Sequence, residues 1–149
     1  MLKQQIDRDL KAALLAGDKD RVTTLRSIKS VILYAEVAKG ARETGLEDDE
    51  IIALLAKEAK KRQESADLYN KGGASDRANK ELAEKEMIEG YLPKQLSDAE
   101  LSSIIDDVIT ALGAQGMQAM GQVIGQVKQK TAGQADGGRI AQMVKERLN

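Results

Sequence analysis

Apolar residues recur at helical spacing along almost the whole chain. Leu2, Ile6, Leu10 and Leu14 step by four, and Gly17 follows where a helix C-cap belongs. Asp18 or Asp20 is placed to cap a second helix, which carries Val22, Leu25, Ile28, Ile32 and Ala35 on one stripe and ends near Gly40. Gly40 to Gly45 reads as a loop. A third helix, starting near Glu47 or Asp48, turns Ile51, Leu54, Leu55, Ala59, Ala66 and Tyr69 inward and breaks at Gly72 and Gly73. Ser75 or Asp76 offers a cap to a fourth, through Leu82, Met87 and Ile88. Period-two alternation never persists, and Val and Thr do not cluster. The pattern predicts an all-α protein.

The sharpest punctuation is Gly90-Tyr91-Leu92-Pro93-Lys94-Gln95-Leu96-Ser97. Pro93, the single proline, disfavours helix at Leu92, so a helix stops before it. Ser97-Asp98-Ala99-Glu100 then has capping-box spacing. A boundary follows: an N-terminal four-helix domain over residues 1–92, a linker over 93–97, and a small three-helix domain over 98–149. In the last, Leu101, Ile104, Ile105, Val108 and Leu112 mark one helix, ending at Gly113. Met120, Ile124 and Val127 mark a second, from about Gln118. Gly133 separates it from a third, capped by Asp136 and carrying Ile140, Met143, Val144 and Leu148.

Composition narrows the chemistry. The 149 residues hold 23 Lys and Arg against 24 Asp and Glu, so bulk charge does not hold this protein to nucleic acid or membrane. Cys and His are both absent, which removes thiolate chemistry, the commonest catalytic base and the commonest metal ligand. No cofactor or metal is expected, and no catalysis by the chain alone. Three tyrosines make a poor stacking platform for splayed bases. No signal-like leader or membrane-spanning run is visible, so the expected location is cytoplasmic.

The charge is uneven, however. From Lys94 to Gly116 one base faces Asp98, Glu100, Asp106 and Asp107; from Met117 onward Lys128, Lys130, Arg139, Lys145 and Arg147 face Asp136 and Glu146. Within that basic stretch Gly121 and Gly125 share a helix face, open either to close packing by a neighbouring helix or to a rigid ligand such as a nucleic-acid backbone. Gly137 and Gly138 open the last helix, whose unpaired N–H groups form a generic anion site. The helix-turn-helix order over 118–148 lacks the polar start of a DNA recognition helix, so sequence-specific DNA binding is not expected. Two further clusters read as solvated helix faces: Lys57 to Glu64, self-neutralised through Glu58–Arg62 and Lys60–Glu64 at i,i+4, and the acids Glu81, Glu84, Glu86 and Glu89.

Tyr91-Leu92-Pro93-Lys94-Gln95-Leu96-Ser97, Met120-Gly121 with Ile124, Gly133 with Ala135-Asp136-Gly137, and Val144-Lys145 together resemble the GatB/YqeY family. Leu25-Arg26-Ser27-Ile28, Lys61-Arg62-Gln63-Glu64-Ser65 and the glutamate-rich helix before Tyr91 extend the resemblance over the N-terminal half. It is closest to the stand-alone YqeY-like proteins. It reaches also to the tail of the B subunit of the tRNA-dependent amidotransferase, which helps hold the outer corner of tRNA while the chemistry sits elsewhere. The resemblance implies two helical domains and a contact surface on Gly121, Gly125, Lys128, Lys130, Gly137, Gly138 and Arg139. Many members are basic where this chain has Gln122 and Gln134.

The expected function is therefore a non-catalytic tRNA-binding or tRNA-enzyme accessory module, reading RNA by shape and phosphates, with an aminoacyl-tRNA enzyme as a possible partner. The alternative is a protein-interaction adaptor presenting its N-terminal helices, without RNA. Carbon–nitrogen ligase activity, with glutamine as amide donor and only within a larger complex, ranks last.

Overall fold

The structure, a computed structural model, describes every residue from Met1 to Asn149. It is all-α, with helices α1 (Leu2–Ala16), α2 (Lys19–Lys39), α3 (Asp48–Lys71), α4 (Ser75–Glu89), α5 (Asp98–Leu112), α6 (Met120–Thr131) and α7 (Gly137–Leu148). The chain divides into two compact units, Met1–Leu92 and Pro93–Asn149.

In the first unit the helices meet as antiparallel neighbours. Gly17 takes the left-handed conformation at φ 70°, and Asp18 donates its N–H back to the Ala13 carbonyl at 3.0 Å. That geometry closes α1 and suits a residue without a Cβ. The Asp18 carboxylate then caps α2 by accepting from the Arg21 N–H at 3.2 Å. Ile6, Leu25, Ile28, Ile32, Ile51, Leu55 and Ile88 form the core, with Tyr91 and Leu92 packed against it. Aliphatic burial is the main driving force in a chain so poor in aromatics.

Some expectations are corrected. Leu14 is 49% exposed, whereas Ala13 is buried at 3%. A strict four-residue step drifts about 40° per step on a helix of 3.6 residues per turn, so the stripe slips by its fourth member. Helix α4 begins at Ser75 with Ala74 as its N-cap and no side-chain cap, because the turn over Gly72 and Gly73 ties the Ala74 N–H to the Tyr69 carbonyl at 2.8 Å. A 3-10 turn, Met117–Ala119, precedes α6, so that helix starts at Met120. Ala132 supplies the left-handed C-cap of α6, at φ 43°, and Gly133 separates α6 from α7 as expected.

Arg62 departs furthest from expectation. Its Nε lies 3.1 Å from Glu84 and 3.8 Å from Glu81, and its Nη2 donates to Ser27 Oγ at 3.2 Å. Lys85 donates to Gln63 at 2.9 Å. The basic run of α3 is thus partly a cross-helix tie to α2 and α4, not only a solvated face. The guanidinium reaches farther than an i,i+4 pair requires and finds two carboxylates on the packed side.

In the second unit Leu101, Ile105, Val108, Val123, Val127, Ile140 and Val144 form a separate core. Ser97 caps α5 through the Glu100 N–H at 3.1 Å, and Asp136 caps α7 through the Arg139 N–H at 3.2 Å. The segment before α5 is bonded in place: the Leu96 N–H donates to the Gln134 carbonyl at 2.8 Å, and Gln95 Nε2 to the Gly133 carbonyl at 3.2 Å.

Candidate nucleic-acid interface

The five bases of residues 117–149 divide into two groups. Arg139, Met143 and Arg147 are four residues apart and share the face of α7 turned to α5. Arg139 Nε donates to Asp98 at 2.8 Å and its Nη1 to the Leu96 carbonyl at 2.9 Å; Nη2 also meets Asp98. Arg147 pairs with Asp106 and Ser102. Contacts rising together along both helices set α5 and α7 side by side in the same direction. These two arginines, expected at the ligand face, clamp the fold.

Lys128, Lys130 and Lys145 are exposed. On α6, Gly121, Gly125 and Lys128 fall on one stripe at i, i+4 and i+7, while Lys130 sits about half a turn away. A Cβ built on Gly121 or Gly125 meets nothing within 4 Å. The glycine face is therefore not consumed by packing within the unit and stands open to solvent. A Cβ on Gly137 would lie 3.4 Å from Lys128 Cε and 3.5 Å from its Nζ. The structure thus brings Lys128 to the first turn of α7 and lays the glycine stripe beside it. Gly138 and Lys145, at i and i+7, share a different face of α7 from the arginines.

Chemically this is a smooth helix backbone flanked by one ammonium and the N–H end of α7, opposed by the Asp136 carboxylate that caps that end. Such a face suits an anionic backbone approached closely and sequence-independently.

The N-terminal unit holds features that periodicity does not mark. Glu36 is 2% exposed and accepts from Lys3 Nζ at 2.6 Å; Lys29 pairs with Asp7 at 2.6 Å. Together these pairs rim a groove of about 290 Å³ between α1 and α2, lined also by Ile6, Ile32 and Leu33. Leu33, Tyr34 and Val37 are exposed on α2. The only early sign of these sites is a charge interrupting an apolar stripe, as Glu36 does.

A model of the Yqey-like protein family matches residues 3–148. Altered inheritance of mitochondria protein 41, mitochondrial, of Eremothecium gossypii is 32% identical over 87 residues, 58% of this chain and 46% of that protein. The protein of the same name from Lachancea thermotolerans is 30% identical over 109 residues, 72% of this chain and 57% of that one. That of Pyrenophora tritici-repentis is 23% identical over 133 residues, 88% and 71% respectively. The chain spans about half the length of the first two relatives. No helix is long and apolar enough to cross a membrane.

Proposed function

Because the chain belongs to the Yqey-like protein family over nearly its whole length, we propose that it is a non-catalytic accessory module that holds folded RNA, with tRNA as the ligand class, through α6 and the start of α7. The observation that carries this reading is the open Gly121–Gly125 face with Lys128 at its end, over Gly137. Glycines in an exposed helix cost stability, about 1 kcal/mol each against Ala, so a face that packs against nothing internal calls for an external partner that needs closeness. Few cations imply modest affinity. With Lys128 on the face and Lys130 on its flank, one or two phosphates are neutralised, and log affinity falls with log salt at a slope of roughly −1 to −2. The amidotransferase-tail resemblance of residues 91–145 points to the same ligand. The compartment proposed is the cytoplasm, although the fungal relatives carry mitochondrial names.

The test is titration of the full chain with labelled tRNA across a salt series. Lys128→Glu lowers tRNA affinity and makes the salt slope shallower, and Lys130→Glu, on the far flank of α6, does so less. Equal binding by wild type and Lys128→Glu sinks the site.

A second reading has its own observation. Tyr34 is 76% exposed between Leu33 and Val37, beside the α1–α2 groove. That patch suits a protein-interaction adaptor. It is distinguished by co-purification of a partner lost in Tyr34→Glu, with no tRNA shift at low salt.

A further inference from the structure

We infer that Arg139 is a positioning residue for this face: it straps the segment entering α5 to the α6–α7 turn and so sets the first turn of α7 against Lys128. The functional arm of the inference rests on the RNA reading; the structural arm does not.

Leu96 is held from both sides. Its N–H donates to the Gln134 carbonyl at 2.8 Å, its carbonyl accepts from Arg139 Nη1 at 2.9 Å, and its side chain packs on the C-terminal core. Arg139 also takes Asp98 through Nε at 2.8 Å, and its backbone N–H is the one that Asp136 caps, at 3.2 Å. One residue thus joins the chain before α5, the start of α5 and the cap of α7. Gly137 lies two positions before it, under the Lys128 ammonium. Both groups that Arg139 holds, the Leu96 carbonyl and Asp98, belong to the fold, and Asp98 offsets its charge. A lysine keeps that charge but lacks the planar fork needed to reach both acceptors. Arg147 is the natural control, because it ties α7 to Asp106 and Ser102 at the other end of the helix, far from Gly137.

The experiment compares Arg139→Lys, Arg139→Gln, Arg147→Gln and Lys128→Gln in the full chain. Amide hydrogen exchange is read at Leu96, and tRNA affinity is followed across a salt series. Both Arg139 variants are expected to speed Leu96 exchange about tenfold or more and to lower affinity several-fold at an unchanged salt slope. Lys128→Gln leaves Leu96 protected and makes the slope shallower by roughly 0.9. Arg147→Gln changes neither. Should Arg139→Lys retain protection and affinity while Arg139→Gln loses slope as Lys128→Gln does, Arg139 is a phosphate ligand and the inference falls. If the wild type binds no tRNA, the RNA reading fails by itself, and exchange still decides: unchanged Leu96 protection in Arg139→Gln overturns the strap. Where Arg139→Gln does not fold, Asp98→Ala removes the oxygen that accepts from Nε and Nη2 and is read the same way.

Discussion

The Tyr91 hydroxyl donates to an Asp9 carboxylate oxygen at 2.5 Å, across 82 residues of sequence. This bond, with Leu92 packed on the N-terminal core, holds the non-helical residues after α4 to the unit as far as Pro93. Tyr91→Phe keeps the ring packing and removes the bond to a charged acceptor, so it lowers stability by about 1.5 kcal/mol, measurable by urea unfolding. Burial, then the neighbouring Asp9, pushes the phenol above its ordinary value of 10.0. The protonated form is favoured in the folded state, so this contribution is whole below pH 10.0 and is lost as pH rises from there through the folded value. Wild type is expected to lose stability faster than Tyr91→Phe above that pH; parallel curves count against the bond.

Arg62 carries the second prediction. At 21% side-chain exposure it stands between Glu81 and Glu84 and also reaches Ser27. Arg62→Ala leaves two carboxylates facing each other without their cation, at a cost of about 2–3 kcal/mol. Adding Glu84→Gln to that variant recovers part of the loss, because the repulsion is relieved. A double mutant no more stable than Arg62→Ala rules out the repulsion.

These two contacts show where sequence legibility ended. Helix starts and stops were readable because they depend on neighbours: Gly17, Asp18, Ser97 and Asp136 do their work within a few residues of themselves. Arg62 fits an i,i+4 ladder equally well, since nothing local separates that arrangement from a reach across two helices. The candidate site divided in the same way. That Gly121, Gly125 and Lys128 share a stripe follows from helical period alone. That Arg139 and Arg147 pair with α5 depends on Asp98 and Asp106, each 41 residues away.

Thr24 offers a simpler case. Its hydroxyl is buried on α2 without a hydrogen-bond partner. Thr24→Val replaces it with a methyl group of similar size and removes the desolvation cost, raising stability by up to about 1 kcal/mol. A urea midpoint shifted downward contradicts this.

Acid stability has its own pair. Asp48 sits below its ordinary 3.8 because the Leu2 N–H donates to it, and Glu50 below 4.5 because Lys39 does. Lowered folded values make both contributions complete above the unfolded ones and lost as pH falls through the folded ones. Asp48→Asn with Glu50→Gln is therefore expected to flatten the stability curve below about pH 4, and thermal melts across that range check it.

The glycine stripe sets stability against function. Nothing lies within 4 Å of a Cβ on Gly121 or Gly125, so Ala fits both positions without a clash. Each substitution raises helix propensity by about 1 kcal/mol, and the double variant melts higher than wild type. If a ligand backbone seats directly on that face, two methyl groups hold it off, and tRNA affinity falls although the protein is more stable and its charge unchanged. The salt slope also stays as it was, since no phosphate contact is removed, which separates this effect from that of Lys128→Glu. A stabilised double variant that binds tRNA as well as wild type shows that the open face is not where the ligand sits. A double variant less stable than wild type instead means that the face is covered by something within the protein.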